Sequence, residues 1–167
     1  FSLGITLFGQ EFVSSVEVFL AKYTYLVKNK RVGLVTNNTA IDSKGRKTID
    51  LLHKDKRVNL VALFAPEHGV RGDVEAGVEV KNSVDKLTGL PVYSTYYNKT
   101  KQPNPEQLKK VDILLFQMQD IGCKTYTYIW TMTEAMSAAA KAGIPFVVLD
   151  VPQFAGIKHP DGFIREE

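Results

Sequence analysis

Apolar residues along the chain follow two alternating patterns. Phe12, Val16, Phe19, Leu20, Tyr23 and Leu26 recur at helical spacing and predict an amphipathic helix over 10–28. Arg31 to Thr36 is then a short apolar run that reads as a buried strand, and it stops at Asn37-Asn38-Thr39. Ile49 and Leu52 among charges predict a short surface helix over 46–56. A second buried run, Leu60 to Ala65, ends abruptly in Pro66-Glu67-His68-Gly69. Further strands are predicted at Pro91–Thr95, Val111–Phe116 and Pro145–Asp150. Asn104-Pro105-Glu106 is a helix start: Asn caps, Pro needs no N–H in the first turn, and Glu faces the positive end of the dipole. The longest helix runs from about Thr125 to Ala142, with Ile129, Met132, Met136, Ala139 and Ala140 as its core stripe, and Gly143 ends it.

Apolar strands alternating with helices predict an α/β fold, Rossmann-like and doubly wound, with a mostly parallel sheet and helices on both faces. One stretch breaks the alternation. Residues 69–90 are rich in Gly, Asp and Glu without sustained period, and read as a long loop or small hairpin, a feature that in compact domains usually serves function. The domain is expected to span 1–152, with 153–167 a tail that begins a further, missing C-terminal domain.

Ligands of open parallel sheets bind beyond the carboxyl ends of the strands. That rule singles out Asn37 and Asn38, Glu67 and His68, Ser94, Gln117, Gln119 and Asp120, and Asp150, a polar set that suits a hydroxyl-rich ligand. Pro66 removes a ladder donor and Gly69 permits a tight turn, so together they fix Glu67 at a strand tip, where apolar neighbours Phe64 and Pro66 favour its acid form as a proton donor; a solvated loop residue fits the same spacing. Gln117 and Gln119, two apart, face one way on a continuing strand. Asp120 reads equally as a site carboxylate or as a turn residue at the helix entry. Lys124, Tyr126 and Tyr128 fall near that helix's first turn, where backbone N–H groups favour anions.

Composition narrows the function. At 167 residues the chain has the size of one domain able to form a core without disulfides, and its single Cys123 rules out an internal one. The net charge of +3 is mild and interleaved, which argues against a nucleic-acid partner. No apolar run reaches the ~20 residues of a membrane span. Glycine fingerprints for dinucleotides and phosphates, a nucleophile elbow and metal-ligand spacing of His53, His68 and His159 are all missing, so neither metal nor cofactor is expected. The stretch from Phe1 to Phe12 lacks the basic start of a signal peptide.

Five blocks in order carry a resemblance: Gly33–Asn37; Leu63–Gly72, with Ala65-Pro66-Glu67-His68-Gly69 at its centre; Thr88–Ser94; Gln119–Gly122 with Tyr126-Thr127-Tyr128; and Phe146–Asp150. Over about 30–152 the chain resembles the bacterial exo-β-N-acetylmuramidase family (NamZ, YbbC-like). The resemblance implies a Rossmann-like N-terminal domain, a smaller C-terminal domain with the active site between them, and release of N-acetylmuramic acid from non-reducing ends of peptidoglycan fragments outside the cytoplasm, periplasmic or secreted. It implies Glu67 as catalytic acid and Asn37, His68, Gln119, Asp120, Tyr126 and Tyr128 as cleft residues; among these Asp120 is the first choice for an assisting catalytic carboxylate, and Asn37, His68, Gln119, Tyr126 and Tyr128, with Lys124 beside them, are the expected substrate-binding residues. The chain departs from the family pattern at Gln117, where relatives carry Asp, at Cys123-Lys124, where they carry Arg, and over Leu149–Phe154. Those departures motivate an alternative, a non-catalytic cell-wall glycan-binding paralogue or a truncated remnant.

Overall fold

The computed structural model describes residues 12–66, 69–72, 82–95, 102–122 and 127–151. The predicted tail 153–167 lies outside them. Six strands appear among the described residues: β1 (Arg31–Thr36), β2 (Asn59–Ala65), β3 (Ser83–Val84), β4 (Pro91–Ser94), β5 (Ile113–Gln117) and β6 (Phe146–Val148). They form one sheet in the order β3-β4-β2-β1-β5-β6. Every neighbouring pair is parallel except β3 with β4. The chain leaves β1 to build β2 on one side and later returns to lay β5 on the other. This reversal creates a crevice between the β1 and β5 tips, the place where such sheets take ligands.

Helices α1 (Ser15–Val18) and α2 (Thr48–Lys54) contribute to one apolar layer; α3 (Pro105–Leu108) and α4 (Tyr128–Ala142) contribute to the other. Strand alternation divides the core accordingly. Val32 and Leu34 of β1 join Ile49, Leu52, Leu63 and Leu115 on the first face. Val35, Phe64, Leu114 and Phe116 meet Leu108, Ala135 and Ala139 on the second. Central strands β1 and β5 are buried almost throughout, which is why they read as unbroken apolar runs. Among the described residues no helix is long and apolar enough to cross a membrane.

Several expectations need correction. The helix over 10–28 is interrupted: four α-helical residues give way to a π-helical stretch, Phe19–Tyr23, and a 3-10 turn, Thr24–Val27. The guanidinium of Arg57 donates to the Leu20 carbonyl (2.8 Å) in this stretch. With this change of pitch Val16, Phe19 and Val27 are buried and Tyr23 is exposed, while Phe12, also exposed, precedes the Ser14 cap and is not part of the helix. On α4 the expected stripe is about one residue out of phase. Tyr128, Thr131, Ala135, Ala138 and Ala139 face the sheet, while Ile129 and Met136 are exposed. Ala135, Ala138 and Ala139 let the helix approach closely, and Met132 of the expected stripe packs against the same layer. Within 69–90, Ser83–Val84 forms the antiparallel partner of β4, so its last part is the small hairpin.

Candidate functional site

At the end of β1 the sequence Asn37-Asn38-Thr39 makes a tight local turn. The Asn37 Oδ1 accepts from the Thr39 backbone N–H (3.0 Å) and from the Thr39 hydroxyl (2.6 Å), an arrangement short polar side chains favour after a strand. The Thr39 Oγ1 in turn accepts from the Gln119 backbone N–H (2.9 Å), tying the β1 tip to the β5 tip. Gln119 Nε2 then donates to the Asp120 carbonyl (2.9 Å). Asn37, Gln119 and Asp120, chosen from separate segments, thus share one hydrogen-bonded rim at the crevice. Thr39 is its hub, and sequence reasoning passed over it although Asn-x-Thr is a turn signature.

Two atoms of this rim are buried without a hydrogen-bond partner, Asn37 Nδ2 and Asp120 Oδ2. With both Thr39 donors on Oδ1, the Asn37 amide is oriented so that its remaining capacity is donation. Asp120 Oδ1 accepts from the Gly122 N–H (2.6 Å), the turn role that its sequence position allowed. A buried donor and a buried acceptor left open cost free energy unless something pairs with them.

Two hollows flank the Gln119–Asp120 segment. One, about 140 Å³, lies beyond β5 and β6 and is bordered by Asp120, Tyr128, Ile129, Met132 and Asp150. The other, about 470 Å³, is bordered by Ser14, Ser15, Thr39, Asp42, Gln117 and Gln119. Gln117 and Gln119 therefore do border one space, but β5 ends at Gln117, and the Gln117 Oε1 accepts from Thr48 of α2 (2.8 Å). Gln117 is largely committed to holding α2. Tyr128 is buried under the start of α4, beside Asp120.

Glu67, His68, Lys124 and Tyr126 lie outside the described residues. The flanks of Glu67 and His68 are well defined. Thr95 donates from N (2.9 Å) and Oγ1 (3.2 Å) to the Ala65 carbonyl. Gly69, with φ +76°, donates its N–H to the Pro66 carbonyl (3.3 Å). Val70 is buried in the first core layer. Arg71 forms two ion pairs, with Asp85 (2.7 and 2.8 Å) and with Asp50 of α2 (2.8 and 3.3 Å). Hydrogen bonds from Arg71 outweigh burial and, with those of Thr88, hold the Asp85 carboxyl at about 2; the two carboxylates push the Arg71 guanidinium above its ordinary value.

A doubly wound α/β domain with polar strand tips around a topological crevice is a small-ligand-binding scaffold. Its family follows from comparison with known proteins. Residues 32–167 match the family model of the exo-β-N-acetylmuramidase NamZ N-terminal domain, and the chain belongs to that family. It is 48% identical over 153 residues to the peptidoglycan β-N-acetylmuramidase NamZ of Bacillus subtilis (strain 168), a match covering 92% of this chain and 37% of that protein. A crystal structure of a DUF1343 family protein from Bacteroides fragilis NCTC 9343 superposes with a TM-score of 0.75 at 49% identity, covering 84% of this chain and 34% of that one. A second protein of that family and organism gives 0.68 at 31% identity, covering 84% and 35%. The chain spans little more than a third of the length of these relatives.

Proposed function

We propose that this chain is the N-terminal, acid-bearing part of an exo-acting glycosidase that releases N-acetylmuramic acid from the non-reducing ends of peptidoglycan fragments, outside the cytoplasm. The observation that carries the reading is the pair of open buried atoms, Asn37 Nδ2 and Asp120 Oδ2, on a rim joining two strand tips at the crevice. A sugar presents hydroxyl and acetamido groups that satisfy such a donor and acceptor together. Glu67, two residues after β2 in the sequence, gives its proton to the glycosidic oxygen as the C–O bond breaks. Asp120, held through Oδ1, faces the positive charge that grows at the anomeric carbon; a water oxygen then bonds to that carbon and its proton returns to the Glu67 carboxylate, restoring the acid. His68, Lys124, Tyr126 and Tyr128 hold the sugar around this centre, with the Lys124 ammonium as partner for the lactyl carboxylate.

The test is release of chromophore from a chromogenic N-acetylmuramic acid glycoside by this chain and its Glu67→Gln form, with circular dichroism to check folding. Loss of about 10²- to 10⁴-fold in the folded variant supports the reading, the usual contribution of a positioned proton donor. Equal release by both forms overturns it. The departure at Cys123-Lys124 favours a second reading, a glycan-binding domain without turnover; calorimetry showing muramyl sugar bound but never cleaved would establish that one instead.

A further inference from the structure

We propose that the hollow beyond β5 and β6 is an acyl pocket: it takes the acetamido group of the muramic acid unit, and Asp120 Oδ2 accepts from that group's N–H. The inference rests on the glycosidase reading above and names what this part of the site selects. The hollow measures about 140 Å³, against about 470 Å³ for the one on the other side of the Gln119–Asp120 segment. A cavity of about 150 Å³ holds one benzene-sized group, so this one accepts a substituent rather than a sugar unit. Its walls are apolar and come from three parts of the fold: Phe116 of β5 with Met118 just after it, Tyr128 and Met132 of α4, and Leu149 after β6. Phe116, Met118, Tyr128 and Leu149 are buried. Among the described residues on its border, only Asp120 and Asp150 carry charge, and both charges are negative.

Walls and charge together pick one substituent. A muramic acid unit offers hydroxyls, a lactyl ether ending in a carboxylate, and an acetamido group. Two carboxylates on the border repel the lactyl group, since like charges brought together cost free energy. A hydroxyl would leave the apolar walls uncovered. The acetamido group has a methyl for those walls and an N–H for an acceptor, the combination of apolar lining and few placed polar groups by which small ligands are held. Asp120 supplies the acceptor. Its Oδ1 is occupied by the Gly122 N–H (2.6 Å), while its Oδ2 is buried with no hydrogen-bond partner. An amide N–H removes the cost of that open acceptor. The acetamido nitrogen sits on C2, next to the anomeric carbon, so a carboxylate that grips it lies beside the reacting centre, as the glycosidase reading requires.

The experiment titrates free N-acetylmuramic acid and its N-propionyl homologue calorimetrically into the unaltered chain, Met132→Ala, Ile129→Trp and Asp120→Asn, with circular dichroism to check folding. The unaltered chain should bind the N-acetyl form at least about 10-fold tighter, because one surplus methylene in a fitted pocket is worth about 10- to 200-fold. Met132→Ala widens the pocket and should bring the two affinities within about 2-fold of each other. Ile129→Trp, at a position 59% exposed, narrows the hollow from outside the core and serves if the alanine form does not fold. It should weaken N-acetylmuramic acid by about 10-fold or more. Asp120→Asn keeps an oxygen on the Gly122 N–H and sets an amide NH2 where Oδ2 was, donor against donor, with a loss of the same size. Equal affinity for the two sugars in the unaltered chain, binding of neither, a preference that survives both pocket variants, or undiminished binding by Asp120→Asn overturns the proposal. A Glu67→Gln form that releases chromophore at the unaltered rate would sink the glycosidase reading instead, and an acyl preference that follows Met132 would still assign the pocket.

Discussion

Gly33 lies in the middle of β1 on the face covered by α3 and α4. A Cβ there would come within 2.9 Å of both Leu114 Cδ1 and Phe64 Cε2, and 3.1 Å from Val111 Cγ1. The glycine is required by packing, since side chains of both neighbouring strands lean over it. Gly33→Ala is expected to lower stability by about 1–3 kcal/mol, measured as the shift in urea midpoint at unchanged slope. Other single residues differ in how much the sequence disclosed. Asn37 and Asp120 were legible because polarity changes sharply where an apolar run stops. Thr39 joins them through a contact spanning 80 residues, and Arg71 meets partners 14 and 21 residues away. No local pattern encodes a guanidinium between two carboxylates, so its role emerges only from the folded chain.

Elements with a chemical signal at their ends were the most legible. The α3 start behaves as its sequence implies, with the Asn104 side chain accepting from the Glu106 N–H (2.9 Å). At the end of α4, Gly143 adopts φ +68°, and the Ile144 N–H returns to the Ala139 carbonyl (3.0 Å). Gly143→Ala meets no atom within 4 Å, so the strain of a left-handed alanine alone should cost about 1 kcal/mol, visible as a lower thermal midpoint. The phase of α4 was less legible. Of the expected stripe, Met132 packs against the second core layer and Ala139 is buried, whereas Ile129 and Met136 face outward and Ala135 and Ala138, one step round the helix, take core positions. Two-residue β3 was read only as an unspecified hairpin, since pairing of so short a strand depends on its neighbour and leaves almost no period.

Taken together, the fold class follows from alternation of buried runs and helical stripes, while the strand order does not, because it depends on pairings far apart in the chain. The same pairings shape the response to acid. Three carboxyls sit at about 2: Asp85, lowered by Arg71; Glu17, where donors on Ser43 and Ser14 outweigh burial; and Asp112, lowered by Arg31. Each binds its proton more readily in the unfolded chain, at the ordinary values of 3.8 for Asp and 4.5 for Glu. Stability should thus be fully present above about pH 4.5 and drain away as pH falls through about 2, with Asp85 accounting for about 2 kcal/mol. Urea midpoints across that window should fall less steeply for Asp85→Asn, which starts from a lower value at pH 7. Central β1 also has a consequence in time. Its partner on one side, β2, follows closely, but Thr36 meets Gln117 of β5 across 81 residues. At ribosomal speeds of about 5–20 residues per second, a nascent chain must wait roughly 4–16 s between completing β1 and completing β5. Throughout that interval the strand destined for the centre of the sheet is still a border, with a row of peptide groups open to any other newly made chain.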